Sequence, residues 1–169
     1  MNTYSSHNLK YLMKIVIMAV GRTSTDYIIS ATADYIRRAS RYMPVEEYII
    51  PDVKTSKGIA SAQQKVMEGT RILAALAPGD RVVLLDERGK QYTSREFAGM
   101  IEKLSVSGIR RLVFIIGGPY GFSSEVYGRA DFQLSLSRMT FSHEMIRLFF
   151  AEQVYRAMTI LRGEPYHHD

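Results

Sequence analysis

The chain contains no cysteine. This absence excludes disulfide bonds, thiolate metal sites and cysteine nucleophiles. It also fits a reducing compartment, and we expect a cytoplasmic protein. Histidine is scarce, with four residues in the whole chain, so few imidazoles are available for proton transfer.

Long apolar runs are missing as well. The longest ones are too short, or too interrupted by charged residues, to span a bilayer, and we expect no membrane association. Residues 1–12, MNTYSSHNLKYL, are polar and lack the apolar core of a secretory signal. We interpret them as an N-terminal extension, either mobile or an artefact of the start site, because Met13 is itself a possible start codon. Residues 13–169 are predicted to form a single domain.

The overall composition is that of a globular protein. The 169 residues are 46% hydrophobic and 23% charged, which indicates one domain with a sizeable core. The formal net charge of +5 favours a polyanionic partner such as RNA. Arg138, Arg147, Arg156 and Arg162 lie near the end of the chain and would position RNA through its phosphates. The alternative for each of them is a solvated surface.

Apolar, β-branched runs alternate with stretches of helical periodicity. The strands predicted from these runs are 14–20, 45–50, 81–85, 112–116 and 132–137. The predicted helices are 25–42, 60–76, a helix capped by Ser94, a short helix from Ser123 or Ser124, and 143–161. Residues 86–93 are predicted to form a charged loop. This order predicts an α/β fold, with a mostly parallel sheet and helices on both of its faces.

The last predicted helix carries more apolar residues than one interface requires. A helix that packs on a sheet needs an apolar stripe of about 100°, yet residues 145–161 are apolar around much of the circumference. The surplus predicts a second buried face, which we assign to a homodimer interface. The alternative is a helix enclosed within its own monomer.

Ligands bind open α/β sheets at the carboxyl ends of the strands. Three stretches fall there, namely 85–90, 116–121 and 136–141. In the second of them, Gly117 and Gly118 have no side chains where the strand ends, which lets a ligand approach the backbone. A plain turn is the alternative. The stretch is neither a GxGxxG nor a P-loop pattern, which argues against dinucleotide and nucleoside triphosphate sites.

Histidines occur at two places in the last third of the chain. His143 begins the last predicted helix, and it either caps that helix or serves a site. His167 and His168 lie at the end of the chain, where residues that do chemistry are unusual. No carboxylate–histidine spacing builds a metal site, and we predict none.

Three segments carry a family resemblance. They are VIMAVGR near the start, FIIGGPYG in the middle and LSLSRMTFSHEMIRLFFAEQVYRAMTILRGEPYHHD at the end. In order and spacing they resemble the RlmH family, bacterial SPOUT-class methyltransferases that act on 23S ribosomal RNA. The resemblance covers residues 13–169. It implies a homodimer with a deep trefoil knot in the α/β fold, and methyl transfer from S-adenosyl-L-methionine to N3 of a pseudouridine in the assembled ribosome.

The resemblance also implies where the cofactor binds. By match of motif, the contacts are Leu85, Gly117 and the run 136–141, with adenine cradled by backbone groups and apolar side chains. The members of that run are Leu136, Ser137, Arg138, Met139, Thr140 and Phe141. These residues fall in the three stretches at the strand ends.

The resemblance further implies that Tyr166 and His167 belong to the active site, folded over the cofactor pocket at the dimer interface. N3 of a pseudouridine carries a proton, so a base is needed, and an imidazole with an ordinary pKa of about 6.5 suits neutral pH. His167 is the first candidate and His143 the second, with Tyr166 orienting the base or the uracil. Loss of the proton to water is the alternative. Glu152 and Arg156 occupy family motif positions near the pocket; by spacing alone they are equally a helix-surface ion pair.

Two other functions remain open from the residues. A non-enzymatic ribosome or RNA-binding factor would keep the basic surface without needing the cofactor run or the tail. A nucleotide-binding hydrolase would need the phosphate-binding motif that this sequence lacks.

Overall fold

The computed structural model describes residues 13–53 and 59–168, and the predicted extension at 1–12 lies outside them. Strands and helices alternate in the predicted order. The strands are β1 (Lys14–Val20), β2 (Val45–Ile50), β3 (Arg81–Gln91), β4 (Arg111–Ile116) and β5 (Phe132–Ser135). The helices are α1 (Asp26–Ala39), α2 (Ser61–Ala74), α3 (Ser94–Ser105), α4 (Ser124–Arg129) and α5 (Met145–Arg162).

The strands form one parallel sheet in the order β2-β1-β4-β3-β5. The inner strands β1 and β4 have helices on both sides, so their sequences KIVIMAV and RLVFII are continuously apolar rather than alternating. The predicted α/β class with a parallel sheet is confirmed.

The two faces of the sheet pack against different helices. Successive residues point to opposite faces, so Ile17 lies in the core beneath α1, α3 and α5, whereas Met18 lies in the core beneath α2 and α4. On the first face the ring of Phe114 lies 5.9 Å from that of Phe97 in α3 and 4.8 Å from that of Phe150 in α5. Helices therefore cover both faces, as the sequence predicts.

The predicted loop at 86–93 is wrong for most of its length, because β3 continues to Gln91. Both Leu85 and Lys90 pair with Leu134 of β5, so the strand bulges between them. A Cβ on Gly89 would lie 2.6 Å from backbone atoms of Leu134, so glycine is required for the return to the sheet. This pairing could not be predicted from the sequence, because residues 86–90 are mostly charged and the partner strand β5 lies far along the chain.

Two helix starts differ from their predictions. Thr93, rather than Ser94, caps α3, since its side chain accepts from the backbone N–H of Glu96 while the Glu96 carboxylate accepts from the N–H of Thr93. Helix α5 has Glu144 at its N-cap position. His143 precedes that position, so the alternative in which His143 caps the helix is wrong.

Candidate cofactor pocket and C-terminal cluster

A cavity of about 750 Å³ opens at the carboxyl ends of β3, β4 and β5. Residues from all three predicted stretches line it, together with Lys65 of α2 and His143 and Ile146 near the start of α5. Small-molecule sites span roughly 300–1,000 Å³. The cavity at the predicted strand ends therefore has the right size and position for a ligand.

Seven of the eight residues assigned to the cofactor by motif line this cavity. They are Leu85, Gly117, Leu136, Ser137, Met139, Thr140 and Phe141. The eighth, Arg138, lies in the same segment with an exposed side chain and does not line the cavity among the described residues. The apolar residues of this set form a surface suited to a flat ring, and at Gly117 the backbone itself forms part of the cavity wall.

The turn after β4 is built from glycines for steric reasons. The N–H of Gly121 donates to the carbonyl of Gly118 at 3.1 Å, and the φ of Gly121 is +77°, in the left-handed region. A Cβ on Gly118 would lie 2.5 Å from a carboxylate oxygen of buried Glu68, and one on Gly117 would lie 3.0 Å from the ring of Phe122. The turn is therefore pressed against α2 and the start of α4.

Asp86, Arg88 and Tyr127 form a polar group in the cavity wall, which we name the Asp86 cluster. The Tyr127 hydroxyl donates to one carboxylate oxygen of Asp86, and the N–H of Arg88 donates to the other at 2.9 Å. The Arg88 guanidinium donates to the Tyr127 oxygen at 2.8 Å. Burial opposes ionisation, but these hydrogen bonds prevail and hold the pKa of Asp86 below its ordinary value. Sequence analysis missed the cluster because Tyr127 lies 41 residues from Asp86.

The loop after β1 is fastened to α5 by two side chains. Arg147, 1% exposed, donates to the carbonyls of Val20 and Gly21 at 2.7 Å each. The Glu144 carboxylate accepts from the N–H of Ser24 at 2.7 Å and from its hydroxyl at 2.9 Å. This fastening holds the residues around His143 beside the end of β1. The prediction that Arg147 meets RNA phosphates is wrong, because its guanidinium is buried on backbone carbonyls.

The end of the chain returns to α5 and forms what we name the tail cluster, comprising Glu152, Arg156, Tyr166 and His167. The Arg156 guanidinium donates to Glu152 at 2.6 Å, lies 4.8 Å from the centre of the Tyr166 ring, and places a nitrogen 3.3 Å from Nδ1 of His167. The Tyr166 hydroxyl donates to Glu152 at 3.0 Å. Burial, with hydrogen bonds to Tyr35 and Glu152, raises the pKa of Tyr166, so its phenol stays protonated and donates.

The candidate catalytic residues thus lie in two places. His143 lines the cavity, whereas Tyr166, His167 and Arg156 are not among the described residues that line it. Within one chain the tail docks on α5 and α1 instead of closing the pocket. A tail that closes a pocket at a dimer interface stays a prediction.

A model described as "Predicted SPOUT methyltransferase" matches residues 13–167. This chain belongs to the SPOUT methyltransferase family. Among its relatives are proteins named "Ribosomal RNA large subunit methyltransferase H" from Porphyromonas gingivalis, at 56% identity, and Bacteroides fragilis, at 54%. Each alignment covers 93% of this chain and the whole of the relative.

Solved structures share the fold at low sequence identity. A probable methyltransferase from Bordetella pertussis Tohama I matches with a TM-score of 0.55 at 12% identity, over 88% of this chain and 96% of that one. A putative methylase family protein from Neisseria gonorrhoeae matches with a TM-score of 0.55 at 14% identity, over 95% and 88%. Across the described ranges of this SPOUT family member, no helix is long and apolar enough to cross a membrane.

Proposed function

We propose that this chain methylates N3 of a pseudouridine in 23S ribosomal RNA, with S-adenosyl-L-methionine as the methyl donor and the assembled ribosome as the substrate. The observation that carries the proposal is the cavity at three strand ends, lined by the residues that match the family's cofactor motif. Family membership and relatives more than half identical over their whole length, named for large-subunit RNA methylation, support it. The place of action is then the cytoplasm, and residues 13–169 act as one domain.

The residues of the cavity fit this cofactor. Leu85, Leu136 and Phe141 provide an apolar surface for adenine, and Gly117 contributes backbone to the same wall. When bound, the cofactor supplies an electrophilic methyl group on a sulfonium. The described residues hold the ligand in a fixed orientation, and positioning of this kind lowers a barrier by up to roughly 7–11 kcal/mol.

Transfer of the methyl group to N3 releases the N3 proton, which a base must accept. His167 is the proposed base and His143 the alternative, since both carry an imidazole near a candidate part of the site. The Arg156 guanidinium lies 3.3 Å from Nδ1 of His167. The protonated Tyr166 donates a hydrogen bond to Glu152, which also binds Arg156, and these contacts orient the tail cluster. With His167→Ala, turnover unchanged at saturating RNA would rule out His167 as the base.

In the proposal, a homodimer brings the cavity and the tail cluster together in one active site. The tail cluster of one protomer completes the cavity of its partner, which brings His167 and His143 to one substrate. Exposed apolar groups beside the cavity support an interface there, since Phe149 is 40% exposed, Phe141 is 41% exposed, and their rings lie 5.3 Å apart.

The test is tritiated methyl transfer from S-adenosyl-L-methionine to ribosomes, and separately to free ribosomal RNA, from cells lacking this gene. Label in the large-subunit RNA of ribosomes, with little in free RNA, is the expected result. Binding of the cofactor without label would point to another acceptor. Neither binding nor label would overturn the enzyme assignment and favour an RNA-binding factor on the same fold.

A further inference from the structure

The Asp86 cluster places a fixed anion in the wall of the cavity. The Asp86 side chain is 8% exposed although its residue lines the cavity, whereas the Arg88 side chain is 72% exposed at the rim. A buried carboxylate is costly unless hydrogen bonds satisfy it. Here Tyr127 and the backbone of Arg88 supply such bonds and fix the direction of both oxygens.

The carboxylate of Asp86 retains capacity for a ligand. Two carboxylate oxygens offer about four acceptor positions. In the described structure one oxygen accepts from the Tyr127 hydroxyl, and the other accepts from the N–H of Arg88 at 2.9 Å and, at a long 3.4 Å, from Nε of Arg88. The guanidinium already balances the charge, so the remaining positions suit neutral donors. Two adjacent hydroxyl groups match the spacing of two carboxylate oxygens.

Adjacent free hydroxyls identify the ligand group. A ribose carries them only where its 3′ oxygen is not esterified, which excludes the internal nucleotides of RNA and leaves a free nucleoside or the 3′ end of an RNA. Asp86 follows Leu85, which lines the same cavity and matches the family's cofactor motif. The ribose of a nucleoside whose base lies against Leu85 is therefore within reach of the next residue.

We propose that the Asp86 carboxylate binds the ribose hydroxyls of the cofactor, held in place by Tyr127 and Arg88. The inference rests on the proposed use of S-adenosyl-L-methionine and adds a polar ribose subsite to the apolar adenine surface. Asp86 touches the ligand, whereas Tyr127 and Arg88 are positioning residues.

The first test is calorimetric binding of S-adenosylhomocysteine and of its 2′-deoxy analogue to the unaltered protein. Loss of a hydrogen bond to a charged group costs about tenfold or more in affinity, so the analogue is expected to bind at least that much more weakly. Equal affinity for the two compounds overturns the ribose subsite alone. Binding of neither compound contradicts the proposed function itself.

The second test changes the carboxylate. Asp86→Asn keeps the shape but replaces one acceptor with a donor, and the preference for the ribose form is expected to fall below about threefold. Glu102→Gln is the control, since it removes an exposed carboxylate that does not line the cavity among the described residues, and it is expected to keep the preference. A preference that survives Asp86→Asn, or losses that are equal for both compounds, overturns the proposal.

A third variant covers the case in which Asp86→Asn does not fold. Tyr127→Phe leaves the carboxylate in place but removes the hydroxyl that directs it, and the ribose preference is expected to fall by about threefold. Thermal unfolding identifies which variants are folded. An unchanged preference in folded Tyr127→Phe counts against the positioning part of the proposal.

Discussion

Gly118 lies in the cavity wall at a position where an added methyl group would meet the buried carboxylate of Glu68. Its Cβ would lie 2.5 Å from a carboxylate oxygen of Glu68, a side chain that is itself buried. Overpacking of this kind costs about 1–3 kcal/mol. Gly118→Ala is expected to lower the free energy of unfolding by that amount in urea and to weaken cofactor binding by displacing the turn.

Gly99→Ala is the control for this prediction. Nothing lies within 4 Å of a Cβ on Gly99, which is in the middle of α3. Alanine is favoured over glycine in a helix by about 1 kcal/mol, so the variant is expected to be equally or more stable. Equal effects of the two substitutions would contradict the steric account of the turn.

Arg147 is predicted to act on stability rather than on RNA binding. Arg147→Met would leave the buried carbonyls of Val20 and Gly21 without their donor, at a cost of about 3 kcal/mol in the free energy of unfolding. Exposed Arg162 provides the control, because Arg162→Met is expected to change stability by less than about 0.5 kcal/mol. Similar stabilities of the two variants would show that the buried contacts contribute little.

At the residue scale, sequence alone located strand-end positions but not side-chain partnerships. The stretches 85–90, 116–121 and 136–141 are recognisable because strand ends follow from local periodicity, whereas the cofactor residues within them follow from the family resemblance. The partnership of Asp86 with Tyr127, and that of Arg147 with Val20, join residues far apart in the chain. Nothing local to an arginine distinguishes a buried guanidinium from a phosphate contact.

At the scale of elements, the start of α5 is fastened in a pH-dependent manner. Hydrogen bonds from Thr25 and Ser24 lower the pKa of Glu144 from 4.5 to about 2. A carboxyl whose pKa is lower in the folded protein stabilises it above the unfolded value, and the contribution is lost as pH falls towards the folded value. The Glu144 contribution is therefore expected to be complete above pH 4.5 and to decline between pH 4.5 and about 2.

Thermal unfolding of the unaltered protein and of Glu144→Gln from neutral to acidic pH checks this expectation. The difference in Tm between the two is expected to be constant near neutral pH and to shrink below pH 4.5. Glu102→Gln, an exposed position in α3, is the control with no such trend. A difference that does not depend on pH would mean that the hydrogen bonds to Ser24 do not require the charge.

The presence of each helix and strand was easier to predict from sequence than the residues at which it begins and ends. The five strands and five helices of residues 13–53 and 59–168 follow from periodicity. The extension of β3 to Gln91 could not be predicted, because the charged run from Asp86 to Lys90 has no β pattern. The backbone of β5 holds this part of the strand in the sheet. The N-cap of α3 is Thr93 instead of the predicted Ser94, because Glu96 completes a capping box with Thr93.

At the scale of the whole molecule, the two-place arrangement of candidate residues predicts complementation between protomers. His167→Ala, and His143→Ala where His143 also acts on the substrate, would each inactivate a homodimer whose sites combine the cavity of one chain with the tail of the other. In a coexpressed mixture, random pairing yields heterodimers with one intact site, and about a quarter of all sites recover. Methyl transfer by the purified mixture, compared with each variant alone, measures this recovery.

A mixture as inactive as its parents would indicate that each site is completed within one chain, provided that both single variants are inactive. Light scattering of the same samples reports whether they are dimers. The apolar surplus of α5 in the sequence predicts a homodimer interface, and that interface stays a prediction. Which chain supplies the tail depends on how two copies meet, and no local pattern encodes that.

The bonds of Arg147 to the end of β1 also bear on how the protein is made. The carbonyl of Gly21 waits for a donor that is 126 residues further along the chain. During synthesis, amino-terminal segments emerge and begin to fold first, and the N–H of Gly21 can bond to the carbonyl of Ile50 once β2 has been made. The carbonyls of Val20 and Gly21 receive their bonds from Arg147 only after α5 has been translated. Nascent chains that stop before Arg147 would therefore expose the end of β1 to proteases more than the finished chain does.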